Sequence, residues 1–320
     1  MTDATQVTRR DPTEDPWFHP SGSVRSQGWT VNLGTPDSAA TPPGWAHTGL
    51  RVTTLSPGAS VDLDAQAEER IVIPLAGSFE VDVDGSSYSL AGRASVFQGP
   101  TDVLYTGINK ALSIRSPEGG RVAVASAPAG TEYPVRHISR AEIPLELRGA
   151  GAASRQVHNF GTPAALEADR FIVCEVLTPA GNWSSYPPHK HDEEKDGETS
   201  LEEIYYFEMQ ASADSPVPPL EDGGPDVIGY QRVYASDDRP MDVTAEVRSG
   251  DVVLVPYGWH GPAMTPPGHD MYYLNVMAGP GPVRQWLISD DPHHGWIRRT
   301  WNESDIDPRL PFTSEQVASD

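Results

Sequence analysis

The residues of this sequence best equipped for chemistry lie close together in its second half. The stretch YPPHKHD, Tyr186–Asp192, sets two histidines one residue apart behind a double proline. LEEIYYFE, Leu201–Glu208, then puts a carboxylate at the start of an aromatic run, and VPYGWH ends another apolar run on His260. Side chains alternate along a strand, so His189 and His191 face the same way. Two imidazoles need that geometry to reach one metal ion. With Glu203 and His260 added, three imidazoles and one carboxylate from three strands make a coordination set for a divalent ion. The spacing alone leaves both Glu202 and Glu203 open as the carboxylate.

Strands must position such a set, and the sequence supplies them. From Trp29 onward, short apolar alternations are separated by Gly, Pro, Asp-Gly and Ser-Pro turns. Phe79, Val81 and Val83 fall on one face with Glu80, Asp82 and Asp84 on the other, the period of a half-buried strand. Asp84-Gly85 is a hairpin turn signal. A second series of the same kind begins near Arg155, and the two series agree in order and scale. The expected architecture is all-β, two barrels or sandwiches in tandem joined near residues 140 to 155. The expected division is an arm over 1–25, a first barrel over 26–145, a second over 146–300 and a packing tail over 301–320.

Composition limits the partners. The chain has 320 residues, enough for one large domain or two ordinary ones, with 29 glycines and 31 prolines. A formal net charge of −22, with no Lys/Arg cluster longer than a pair, leaves no basic stripe for nucleic acid or anionic membranes. The N-terminal residues lack the apolar core of a signal peptide, and no apolar run approaches a membrane span, so the expected location is the cytoplasm. A lone cysteine, Cys174 in RFIVCEVL, allows no intrachain disulfide and no cysteine-rich zinc site, and its apolar neighbours mark it as buried.

The metal-ligating pattern resembles the cupin superfamily, whose first motif is a glycine, His-x-His and a glutamate, and whose second is a glycine, Pro-x-Gly and a histidine. Here these read Gly181, His189, His191, Glu203 and Gly250, Pro256, Gly258, His260. The gaps from glycine to histidine and from histidine to glutamate are longer than in the general pattern, and the last is shorter. SSYPPHKHD, LEEIYYF, QRVY, GDVVLVPYGWH, DMYYLNVMAGP and DDPHHGWI together resemble the 5-deoxy-glucuronate isomerases of bacterial inositol catabolism, relatives of the pectin-pathway ketol-isomerases. These segments span most of the second half. The first half is similar more loosely and has no His-x-His, so it reads as a barrel without a metal motif.

The resemblance implies two cupin barrels (double-stranded β-helix, jelly-roll-like) and a metal-dependent aldose-ketose isomerase converting 5-deoxy-D-glucuronate to 5-dehydro-2-deoxy-D-gluconate. It implies His189, His191, Glu203 and His260 as ligands of a divalent ion, zinc or else manganese, iron or cobalt. An iron dioxygenase and a silent sugar-acid-binding protein are the alternatives, and the segments outside the ligand motifs favour the isomerase. For an anionic sugar the ion and its ligands leave a local charge of about +1 despite the acidic chain. Arg232, with its neighbour Gln231, and Lys190 are candidates to hold the substrate; Lys190 alternates away from the two histidines, which also fits a solvated lysine. Tyr257 and Asn275 are further binding candidates. For proton transfer the sequence offers Glu203, Asp192, Tyr206 and Tyr273. Tyr205 and Phe207 share the parity of Glu203 and are expected to wall the pocket, with Tyr206 facing the other way. His19, His47, His137, His158, His269, His293 and His294 lack partners at ligand spacing, the last two lying beside Asp290 and Asp291. Pairing of the chain with copies of itself is left open.

Overall fold

The computed structural model describes residues 15–213, 215, 226–236, 239–301 and 306–312. Among these the regular elements are strands, joined by a few short 3-10 turns, and no helix is long and apolar enough to cross a membrane. Every strand pairing is antiparallel.

The first half is a curled nine-stranded sheet. Its long strand Glu68–Val83 pairs early with Val103–Thr106 and Gly120–Pro128, and late with Ser86–Arg93 and Leu112–Arg115. One strand therefore serves both sides of the barrel. The expected hairpin is present: Asp84 and Gly85 have φ of 49° and 85°, the two positive values that a tight turn matched to strand twist requires. The alternating residues Phe79, Val81 and Val83 are buried with Leu55, Val72, Leu90 and Leu104 in one core.

The second half sets a seven-stranded sheet against a six-stranded one. Across the first run Phe18–His19, Val252–Val255, Glu202–Ala211, His269–Ala278, Ile172–Thr178, Arg155–Gly161 and Leu145–Arg148. Across the second run Arg239–Val247, Gly229–Ser236, Trp259–Met264, His189–Lys190 and Ser289–Asp290, with Trp183–Ser184 also paired to Trp259–Met264. Strand pairing passes from the first half to the second between Ile138 and Leu145. Within the expected arm, Phe18 and His19 pair with Val253 and Val252 at the edge of the second barrel, where burial of Phe18 rewards the docking. Residues 1–14 lie outside the described residues. In the tail, Leu310 is buried and the Phe312 amide donates to Gln156 Oε1 at 2.6 Å.

A third core joins the halves face to face. Leu33, Leu50, Ile71 and Ile73 from the first meet Ile204, Leu254, Leu274 and Val276 from the second. Each such side chain, fully buried, contributes about 1.5–3 kcal/mol. Carboxylates reinforce the seam. Glu69 accepts the backbone amides of Asp169, Arg170 and Phe171 at 2.7–2.8 Å, and Glu202 accepts those of Ala46 and His47 at 2.9 and 2.7 Å. Glu175 takes a bidentate pair from Arg93 at 2.7 Å on each arm, and Glu208 pairs with Arg121.

Candidate metal centre

The strand Glu202–Ala211 is buried on both faces through its first seven residues, and its alternation decides which glutamate enters the second barrel. Glu203, Tyr205 and Phe207 point to the inner core, whereas Ile204 and Tyr206 point to the seam between the halves. Glu203 therefore meets the histidines and Glu202 clamps the first half. His189 and His260 are direct cross-strand partners, and their rings lie 4.4 Å apart, with His191 4.7 Å from His260. The ligating atoms of His191, Glu203 and His260 all lie within 4.8 Å of one another.

Backbone carbonyls fix the imidazole tautomers. His189 Nδ1 faces Pro187 O at 3.1 Å, His191 Nδ1 faces Leu201 O at 3.2 Å, and His260 Nδ1 faces Gly258 O at 3.2 Å. A carbonyl only accepts, so each Nδ1 carries the proton and each Nε2 keeps its lone pair. The Nε2 atoms of His191 and His260 both lie 3.1 Å from Glu203 Oε2, and the buried His260 Nε2 makes no hydrogen bond. Acceptors that converge on one another in a buried space fit a cation between them. The donor set thus suits a divalent metal ion. Burial works against ionised Glu203, but the imidazoles of His191 and His260 packed beside it hold its carboxyl down at about 2. Burial, then the neighbouring imidazoles, pushes His189 well below the usual imidazole range.

Gly258 is a glycine for a steric reason. It sits at φ 92°, and a side chain there would meet Tyr234 O at 2.6 Å. Its carbonyl orients His260, and its amide donates to Asp192 Oδ2 at 2.8 Å.

Further polar groups face the same interior. Tyr273 shares hydrogen bonds with Ser184 Oγ at 2.6 Å and Ser185 Oγ at 3.1 Å, and Ser185 Oγ lies 3.3 Å from Tyr205 OH. The Tyr205 ring is 6.2 Å from that of His260, so the residue that ends this chain of hydroxyls packs near the histidine cluster. Gln231 is 1% exposed, and neither atom of its amide has a partner. Its cross-strand neighbours are Ala245 and Ala263, and Val233 two residues on pairs with His260. Asn275, between Cys174 and Tyr205, has a buried Nδ2 without a partner.

Residues 18–297 match the KduI/IolB family. This chain belongs to that family. It is 39% identical over 281 residues to the 5-deoxy-glucuronate isomerase of Geobacillus kaustophilus, covering 87% of this chain and 94% of that protein. The 5-deoxy-glucuronate isomerase of Bacillus subtilis strain 168 is 38% identical over 251 residues, covering 78% and 86%. The crystal structure of an IolB-like protein from Salmonella typhimurium LT2 matches with a TM-score of 0.76 at 35% identity, over 88% of this chain and 99% of that one. An oxalate decarboxylase from Lactobacillus farciminis matches at 0.54 with 13% identity, over 95% and 96%, a likeness of fold alone. The fold is that of the cupins, as the motifs implied.

Several candidate residues of this KduI/IolB chain are engaged away from the histidine cluster. Tyr206 donates its hydroxyl to Glu208 Oε1 at 3.1 Å in the seam between the halves, because the strand period turns it away from Glu203. Asp192 is no free base: Lys190 Nζ at 2.7 Å, Ser236 Oγ at 2.9 Å, the Gly258 amide and Arg239 all donate to it. Burial opposes its ionisation, but these donors bring its pKa to about 2. Lys190 is neither solvated nor open to a substrate, since it is 4% exposed and also bonds Glu198 at 2.8 Å. It fills the carboxylate group of Asp192, Glu193 and Glu198. Arg232 is exposed on the outer face, its guanidinium 4.3 Å from the Tyr234 ring. Tyr257 packs half-buried against the core of the second barrel, its hydroxyl committed to Pro240 O at 3.2 Å and its ring under Arg239. His294 Nδ1 lies 3.2 Å from Tyr186 OH, and Cys174 is fully buried. The residues themselves gave no site role to Ser184 and Ser185 in advance. Both sit inside the quoted SSYPPHKHD, where their nearness to His189 was the available signal.

Proposed function

We propose that this chain is a metal-dependent aldose-ketose isomerase, converting 5-deoxy-D-glucuronate to 5-dehydro-2-deoxy-D-gluconate in the cytoplasm as part of inositol catabolism. The observation that carries the reading is the convergence of imidazole lone pairs on Glu203 inside the barrel, in a chain whose relatives bear that isomerase name. His189, His191, Glu203 and His260 would hold a divalent ion; zinc with expanded coordination, manganese, iron and cobalt all suit such donors.

The conversion breaks the C2–H bond and forms a C1–H bond, while a hydroxyl proton leaves the C2 oxygen and one is gained by the C1 oxygen. No oxidant or reductant is consumed. When bound, a divalent ion supplies Lewis acidity to the sugar carbonyl and the hydroxyl beside it. The chain's own residues do the rest. Tyr273, Ser184, Ser185 and Tyr205 form a hydroxyl relay in which each group can both donate and accept, suited to moving a proton along the sugar's oxygens. The amides of Gln231 and Asn275 match sugar hydroxyls, which also donate and accept. Phe207, Val233, Val255 and Met277 wall the interior and keep water from the reacting carbons.

The test is paired: metal content of the purified protein by mass spectrometry, and conversion of 5-deoxy-glucuronate followed by NMR in deuterated water. Metal-dependent conversion is expected, with deuterium entering at C1 if the proton exchanges through an enediol. Bound metal without conversion would end the isomerase reading. A second expected result concerns Gln231→Leu. Removing a buried amide without partners should leave the melting temperature unchanged or raise stability by about 1 kcal/mol, while the Michaelis constant rises roughly tenfold for the lost sugar hydrogen bonds. Unchanged kinetics in a folded, metal-loaded variant would remove Gln231 from the site.

A further inference from the structure

We infer that Arg155 binds the carboxylate of the sugar acid, a role that rests on the isomerase reading for the substrate's identity. The other arginines of the interior have their partners. Arg51, Arg70 and Arg93 are each paired with a carboxylate. Arg284 spends Nε and both terminal nitrogens on the carbonyls of Phe171, Leu166 and Gly161. Arg155 is 5% exposed, yet among the described residues only its Nη1 is bonded, to Ala153 O at 2.9 Å and Tyr186 O at 3.3 Å. Nε and Nη2 are left, which is one edge of a guanidinium and the shape that receives a carboxylate in two parallel bonds. A buried cation without an anion is costly, so its retention points to an anion that arrives.

Its position fits. Arg155 opens the strand Arg155–Gly161 on the side of Val157, which belongs to the core of the metal-bearing barrel. Its cross-strand partner is Arg148, on the last strand of that sheet. On the facing sheet the last strand is Ser289–Asp290, and Asp290 is the cross-strand partner of His189, which places the two side chains on one face. Asp290 holds Arg298, and the Trp301 ring is shared by Arg298 and Arg155, its centre 5.1 and 5.4 Å from the two guanidinium carbons. The seam between the two sheet edges thus runs from His189 to Arg155. Arg148 is committed to Glu146 and Arg298 to Asp290; Arg155 is the guanidinium in the seam with an edge to offer. Burial, then the fields of Arg148 and Arg298 against that of Tyr273, lower its pKa to about 10, so it remains a cation at neutral pH. In a chain of net charge −22, this seam offers an anion a local attraction that the surface denies it.

The experiment is calorimetric titration of the unaltered protein, Arg155→Met and Arg155→Lys with 5-deoxy-glucuronate and with 5-deoxy-glucose, its neutral counterpart at C6. Turnover and melting temperature are measured alongside. The unaltered protein should prefer the acid. Arg155→Met should bind the acid about 100-fold more weakly, the scale of a lost charge-assisted pair, and the neutral sugar as before, with Arg155→Lys between. Unchanged affinity for the acid, an equal fall for both sugars, or no binding of the acid by the unaltered protein would each overturn the assignment. Binding of the acid without turnover would overturn the isomerase reading instead, and the role of Arg155 would still be decided by the variants' affinities.

Discussion

His260→Ala should yield a folded protein that retains almost no metal and turns over at least about 1,000-fold more slowly than the unaltered chain. The expectation follows from where His260 stands. Its ring is fully buried, lies against both other imidazoles and directs an unprotonated, unbonded Nε2 at Glu203. Truncation removes a proposed ligand that water cannot replace with the same geometry, because Gly258 O and the tight turn fix that ring. Glu203→Gln gives the complementary result. It keeps the shape and removes the charge that balances a divalent ion, so metal affinity should fall while the fold survives. Full metal content and turnover in either variant, read by mass spectrometry and NMR, would show that the centre lies elsewhere.

Arg93→Ala should be among the most damaging substitutions outside the centre, costing about 3–5 kcal/mol. Glu175 is wholly buried between the halves, where Arg93 holds both oxygens, Tyr272 OH donates at 2.9 Å and His158 Nδ1 lies 2.6 Å away. Loss of the guanidinium strands a carboxylate in a low-dielectric seam. The urea midpoint should fall accordingly, and Arg93→Met combined with Glu175→Gln should recover part of the loss, since neither partner is then left charged. The pair also sets an acid limit. Burial works against ionised Glu175, but Arg93 and His158 bring its pKa to about 2, below that of an unfolded glutamate. A depressed carboxylate stabilises the fold above its unfolded pKa and loses that contribution as pH falls through the folded value. Stability from this group should therefore decline between about pH 4.5 and pH 2 in the unaltered protein, and much less in the double variant. A midpoint for Arg93→Ala equal to that of the unaltered protein would show that the pair does not bind the halves together.

What was legible in the sequence was parity. The period of two put His189, His191, Glu203, Tyr205, Phe207, Tyr273 and Asn275 on the inner side and sent Tyr206 away, because those strands are long, apolar and regular. What covers the other side of a strand was not legible. Lys190 alternates outward as read, but the outer side is roofed by Glu198, Asp192 and Trp259, so outward did not mean solvated. Arg232 in QRVY looked suited to an anion, yet its strand turns Gln231 inward instead. Arg155 had no motif to mark it. Its meaning comes from Tyr186, Trp301 and Arg298, which no local spacing relates to it.

The adjacent glutamates of Glu202–Ala211 serve opposite masters: Glu202 grips the backbone at Ala46 and His47, and Glu203 addresses the histidines. Inserting or deleting one residue in this strand would exchange the two roles and expose every inner side chain to the wrong neighbour. The length of that segment is therefore fixed by both roles at once. The first half is bound by the same rule, since its grip is the reverse side of the strand that carries Glu203.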